Sequence, residues 1–175
     1  MREYEFTLKF AVPPSDDGMS GHVERLASEG CDDALVGVGR SDRIALAFTR
    51  ESASASASVL SAIADVGRAI PGAVLVEAAP DLVSATDIAD LVGCSRQNVR
   101  NLMLDCRAIV PAPVHEGRPS IWHLAPVLVW LRDRKGYRIG EELLELAGTT
   151  MQVNLAIDQR RADRRIQEEI HAVLA

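Results

Sequence analysis

The stretch DIADLVGCSRQNVRNLM (Asp87–Met103) decides how this chain is read, because one glycine divides it into two short segments of different character. In the first, Ile88, Ala89, Leu91 and Val92 recur at helical spacing and are expected to form the buried side of a helix. Gly93 follows, where a residue able to take a left-handed conformation ends a helix and turns the chain sharply. Thr86 can cap the first helix, with Ser84 as the other candidate, and Asp87 in the first turn favours the helix dipole. Ser95 can cap the second helix, whose Val99 and Leu102 point inward in phase with Ile88 and Val92. Ala89 is small where the two helices must approach closely, so the stretch reads as helix, short turn, helix.

Downstream, VPAPV (110–114) and SIWHL (120–124) read as two strands joined by HEGRP, with Gly117 closing the turn and Arg118 at its tip. Trp122 should pack inward at the start of another helix, on which Val127, Leu128, Trp130 and Leu131 continue an apolar face. Upstream, YEFTLKFAV (4–12) alternates in the period-2 pattern of a strand with one buried face. A short helix with Val23 and Leu26 on one side closes at Gly30, and strands over 33–39 and 43–50 form a hairpin through RSD. A second helix over 52–70 carries Val59, Leu60, Ile63, Val66 and Ile70, and residues 73–80 read as a last strand. The order β-α-β-β-α-β within about eighty residues is a ferredoxin-like α+β arrangement, with two helices on one face of an antiparallel sheet. The expected organisation is this unit over 1–80, a second unit over 81–135, and a helical segment over 136–175, with Pro80 and Asp81 at the boundary.

In the last segment Leu143, Leu144, Ala147, Met151 and Leu155, then Ile166, Ile170, Val173 and Leu174, predict one or two helices with apolar stripes. Such a stripe must bury itself on its own chain or against a second copy. DQRRADRR (158–165) interrupts it with four arginines that read first as a solvated face.

The chain carries a formal net charge of −6, distributed as −6 over residues 1–83, +2 over 84–135 and −2 over 136–175. An overall acidic balance argues against a protein that coats nucleic acid without specificity. The net-basic part nevertheless coincides with the helix-turn-helix, where no acidic residue stands between Ser95 and Leu104.

Residues 84–132 resemble the winged helix-turn-helix of the MerR/excisionase-like group. Val83, Ser84, Asp87, Ile88, Ala89, Leu91, Val92, Gly93, Cys94, Ser95, Arg96 and Val99 match the opening of that motif, and a two-stranded wing and a further helix follow in place. The resemblance implies double-stranded DNA binding, with the second helix in the major groove. There Arg pairs with guanine and Asn or Gln with adenine, while flanking groups hold phosphates. Arg96, Gln97, Arg100 and Asn101 are the candidates for base contacts, Ser95 for a phosphate at the helix start, and Arg118 for a phosphate at the wing; Asn98 has no assigned role. One such motif covers few base pairs, so a homodimer on a two-fold site is expected, with the interface on the C-terminal helices or on the edge of the N-terminal sheet.

No catalysis, cofactor or metal is expected. Cys31, Cys94 and Cys106 lack metal-ligand spacing and read as small core residues, His115 and His123 as surface or packing residues, and Asp32 and Asp33 as solvated charges. No apolar run approaches the roughly 20 residues needed to span a bilayer and no leader is visible, so a cytoplasmic location is expected. The leading reading is a bacterial-type transcriptional regulator whose N-terminal unit senses, oligomerises or recruits. An excisionase-like factor that bends DNA and an antitoxin-like protein-interaction module, whose acidic unit meets a basic partner, are the alternatives.

Overall fold

Alternation along the first strand produces the larger of two cores. In the computed structural model, which describes residues 1–40, 42–105 and 110–174, β1 (Arg2–Ala11) lies inside a four-stranded antiparallel sheet. Its neighbours are β2 (Ala34–Arg40), β3 (Arg43–Ser52) and β4 (Val74–Ala79), in the order β2-β3-β1-β4. Tyr4, Phe6, Leu8 and Phe10 of β1 and Ile44, Leu46 and Phe48 of β3 are buried in one cluster with α1 (Gly18–Ser28) and α2 (Ala55–Ala69). Phe6 stands opposite Phe48 in register, and the two rings stack at 5.2 Å between centroids. Glu3, Glu5, Ala47 and Thr49 point to the other, exposed face.

Helix α2 meets the sheet through Ala55, Val59, Ala62, Val66 and Ala69, whereas Leu60, expected on its buried side, is 59% exposed. Alanines let the helix axis approach the sheet, and this small-residue row outweighs the larger apolar residue beside it. Ser54 caps α2, accepting from the Ala57 N–H at 3.1 Å, so the serine-rich start supplies a cap and β3 runs on to Ser52.

The second core lies between β5 (Leu82–Val83), α3 (Ala85–Val92), α4 (Arg96–Asp105), β6 (Trp122–His123) and α5 (Leu124–Lys135). Ile88, Val99, Val127, Leu128, Trp130 and Leu131 are buried there, as the periodicity predicts, whereas Leu91, expected on the buried side of α3, is 42% exposed. The two expected strands of the hairpin are largely replaced. VPAPV forms no strand, because Pro111 and Pro113 have no N–H to donate to a ladder, and the hairpin keeps a single bridge between His115, in the expected turn, and Ile121. Trp122 and His123 pair instead with Val83 and Leu82 of β5, a two-residue strand too short to leave a periodic signal.

The C-terminal segment forms α6 (Glu141–Arg161) and α7 (Arg164–Leu174). Seven helices thus stand among the described residues, with 52% helix and 23% strand, and none of the helices is long and apolar enough to cross a membrane. Cys106 lies outside the described residues; Cys31 is buried and Cys94 half-buried, and burial pushes the Cys31 thiol up to about 11. Arg50 binds Asp33 and Asp65, so Asp33 is a structural counter-ion where a solvated charge was expected.

Helix α6 joins the two cores, giving Leu146 to the first and Ala147 to the second. Its buried row includes Thr150 and Asn154. The Asn154 amide accepts from the Ala78 N–H at 2.8 Å and donates to the Ala78 carbonyl at 2.7 Å, sealing the edge of β4 as a strand would. It also donates to Asp81 at 2.8 Å. The Asp81 side chain is 0% exposed and binds His123 Nδ1 at 2.7 Å, while its own carbonyl accepts from the Leu124 N–H at 2.7 Å. The Thr150 hydroxyl donates to the Pro80 carbonyl at 2.6 Å. At the other end of α6, Glu145 accepts from the Ala55 N–H, the Tyr4 hydroxyl and Arg2, which together hold its carboxyl below the usual range.

Two outcomes follow. Asn154→Ala leaves both Ala78 groups and an Asp81 oxygen short of a partner, each costing about 1–3 kcal/mol when buried. Urea unfolding should show a loss of roughly 2 kcal/mol or more, against less than about 0.5 kcal/mol for the exposed control Gln152→Ala. Because the folded Glu145 carboxyl is depressed, its contribution is complete above the unfolded value of about 4.3 and disappears as pH falls through the folded value. Glu145→Ala should therefore unfold more easily than wild type at neutral pH, and the gap should close on acidification.

Candidate nucleic-acid interface

The helix pair is fixed by its ends. Of the two candidates, Ser84 is the cap: its hydroxyl accepts from the Thr86 and Asp87 N–H groups at 3.2 and 3.4 Å, and Asp87 accepts from the Ser84 N–H at 2.7 Å. Thr86 lies inside α3. These reciprocal bonds hold the Asp87 carboxyl below the usual carboxylate range, Ser84 being the main cause. Gly93 ends α3 at φ 68° and ψ 36°, a left-handed conformation costly for any residue with a Cβ. The Ser95 hydroxyl accepts from the Asn98 N–H at 3.1 Å at the start of α4, Val99 is buried, and Leu102 packs partly buried against the same core.

Burying Val99 turns Arg96, Gln97, Arg100 and Asn101 outward, and all four are exposed. Gln97 Nε2 donates to Asn101 Oδ1 at 2.9 Å, one helical turn away, so these two amides hold each other in one arrangement. Asn98 has a different task. Its amide donates to the Tyr137 hydroxyl at 3.0 Å and ties α4 to the chain after α5. Tyr137 left no sequence signal for this contact, because residues 39 apart meet only once the second core has formed.

The segment from Val110 to Trp122 folds back beside α4 and encloses with it a cleft of about 1280 Å³. Arg96 and Arg100 line this cleft from the helix and Arg118 from the turn, with Met103 and Trp122 among its apolar residues. Among the described residues none of the three arginines is in an ion pair, so their charge is available to a ligand. Glu116 also lines the cleft, which is therefore positive but not uniformly so. Ser95, Gln97 and Asn101 are not among the lining residues; Gln97 and Asn101 are exposed on α4 and Ser95 stands just before its start. The turn closes through the Ile121 N–H to the His115 carbonyl at 3.0 Å, and a Cβ on Gly117 would run into the His115 ring. His115 thus packs on Gly117, and His123 belongs to the Asp81 junction.

Comparison of the chain with protein-family models, curated proteins and solved structures found no match.

Ser84→Ala removes the acceptor for two N–H groups at the start of α3. It should lower stability by about 1 kcal/mol in urea unfolding, whereas Ser84→Asp, which keeps an acceptor, should restore most of the loss.

Proposed function

We propose that this protein binds double-stranded DNA sequence-specifically through α4 and acts as a dimeric, bacterial-type transcriptional regulator. The observation that carries this reading is the joint disposition of Arg96, Arg100 and Arg118, three arginines without ion pairs among the described residues around one cleft, beside the exposed amides of Gln97 and Asn101. Arg, Asn and Gln are the side chains that read base edges, and Arg118 on the turn would supply a phosphate contact that fixes register. The helix pair, the β5–β6 ladder and the turn at Gly117 are consistent with a winged helix-turn-helix whose wing is a short loop closed by one bridge. The strand order β2-β3-β1-β4 with α1 and α2 on one face supports the ferredoxin-like reading of the N-terminal unit, which under this proposal senses, oligomerises or recruits.

The test is selection from a randomised duplex library at two salt concentrations, followed by titration of variants on the selected site. Arg96→Ala or Arg100→Ala should each weaken specific binding by about 1–3 kcal/mol per lost base contact while the circular dichroism spectrum is retained. Arg118→Ala should weaken all sequences alike and reduce the slope of log K against log salt by about 1. If the library yields no enriched motif, or Arg96→Ala and Arg100→Ala both bind as wild type, the proposal fails.

A further inference from the structure

Helix α7 has no buried residue, yet it is amphipathic: Ile166, Ile170, Val173 and Leu174 are 41–85% exposed and recur at i, i+4, i+7 and i+8. A stripe of this spacing is the anchor pattern with which a helix enters a groove. The molecule has such a groove. Strand β4 covers β1 only from Thr7 to Ala11, so beside Glu3–Phe6 the sheet is left without a fourth strand. There β1, Pro80, α3 and the first turns of α6 surround an open groove of about 640 Å³, with Leu91, 42% exposed, and half-buried Leu143 among its walls.

Charge matches the two surfaces at the start of α7, whose first turn is basic before Glu168 and Glu169 follow. Glu3 and Glu5 on the groove rim are in no ion pair among the described residues, and Glu142 makes only a 3.9 Å contact with Arg2. Helix α7 opens with Arg164, which has no ion pair among the described residues, and Arg165, whose pair with Glu169 at 3.7 Å is exposed on both sides. Arg160 and Arg161 precede it.

The helix cannot reach the groove of its own chain. Only Ala162 and Asp163 separate α6 from α7. From Arg161 back to Leu146, the nearest groove residue on α6, is about 22 Å of helix, whereas the whole of α7 spans about 16 Å at about 1.5 Å per residue. An α7 folded back along α6 would stop short.

We infer that α7 of one copy docks in the groove beside β1 of a second copy, in a reciprocal homodimer with two such seats. Ile166, Ile170 and Val173 enter toward Leu91 and Leu143, and Arg164 and Arg165 face Glu3 and Glu5. A two-fold arrangement makes the same contact twice, which matters because one short helix face falls below the roughly 800 Å² per partner of a standard interface. The inference does not depend on DNA binding, and it assigns a role to Arg164 and Arg165 of the four-arginine segment.

The experiment is sedimentation equilibrium of the full chain, without DNA, at low and high salt. Wild type should be a dimer whose dissociation constant rises with salt. Ile166→Asp/Ile170→Asp and, separately, Leu91→Asp should be monomeric with unchanged circular dichroism, since all three side chains are exposed. Mixing these two monomeric variants rebuilds one of the two seats, because one supplies an intact groove and the other an intact α7, so the mixture should associate measurably but at least tenfold more weakly than wild type. Arg164→Glu/Arg165→Glu should weaken the dimer at least tenfold, and Glu3→Arg/Glu5→Arg in the same chain should restore it. A monomeric wild type throughout overturns the inference, as does a dimer that survives both apolar variants or a variant mixture that associates no more than either variant alone.

Discussion

A carboxylate with no solvent exposure must find its hydrogen bonds inside the protein, and Asp81 finds them in two different parts of the chain. Asn154 comes from α6 and His123 from the end of β6, while the Asp81 carbonyl holds the first N–H of α5. The residue that leads out of the N-terminal sheet is thus the residue on which the second unit and the C-terminal helix are assembled. Losing either side-chain partner would leave part of a buried charge unmet, so the three segments hold their relative positions together.

Helix α6 follows from that constraint. A helix that only covered a core would bury leucines, but this one passes the open edge of β4 and must satisfy the backbone there. Thr150 and Asn154 supply the hydrogen bonds, Leu146 and Ala147 supply the packing on either side, and Glu145 closes the start of α2. The helix therefore belongs to both cores, and its stability is not separable from theirs.

This explains what could be read in advance. Strand β1 was legible because Tyr4, Phe6, Leu8 and Phe10 alternate with polar residues, and α3 and α4 because Gly93 and two caps punctuate them. The row of exposed donors on α4 followed from burying Val99. The face of α6 was misread because an apolar stripe places Leu155 inside, whereas the structure buries Asn154 and leaves Leu155 43% exposed. Hydrophobic period finds apolar burial only; polar burial depends on a partner far away in sequence, as Asn154 depends on Ala78. The ladder of Trp122 and His123 with Leu82 and Val83 was hidden for the same reason, being two residues long and non-local. In the site, Arg118 was correctly placed on the turn, but its approach to Arg96 and Arg100 across a cleft, with Glu116 among them, is a product of the fold.

Rigidity at Asp81 also bears on how an acidic protein could approach a duplex in the proposed reading. Residues 1–83 carry −6 and would be repelled by phosphates wherever they came within a Debye length, about 8 Å at physiological ionic strength. A flexible link would let that unit drift toward the backbone and oppose the contacts made by Arg96, Arg100 and Arg118. The contact of Asp81 with His123 and the packing of Ala147, Leu143 and Leu144 hold α6 to the second core, the Asn154 seal on β4 and the Glu145 bonds to β1 and α2 hold it to the first, and together they oppose such drift. Under the proposed reading, a fixed angle between the two units would keep this charge away from the duplex, and the polar face of α6 is the element that joins both cores.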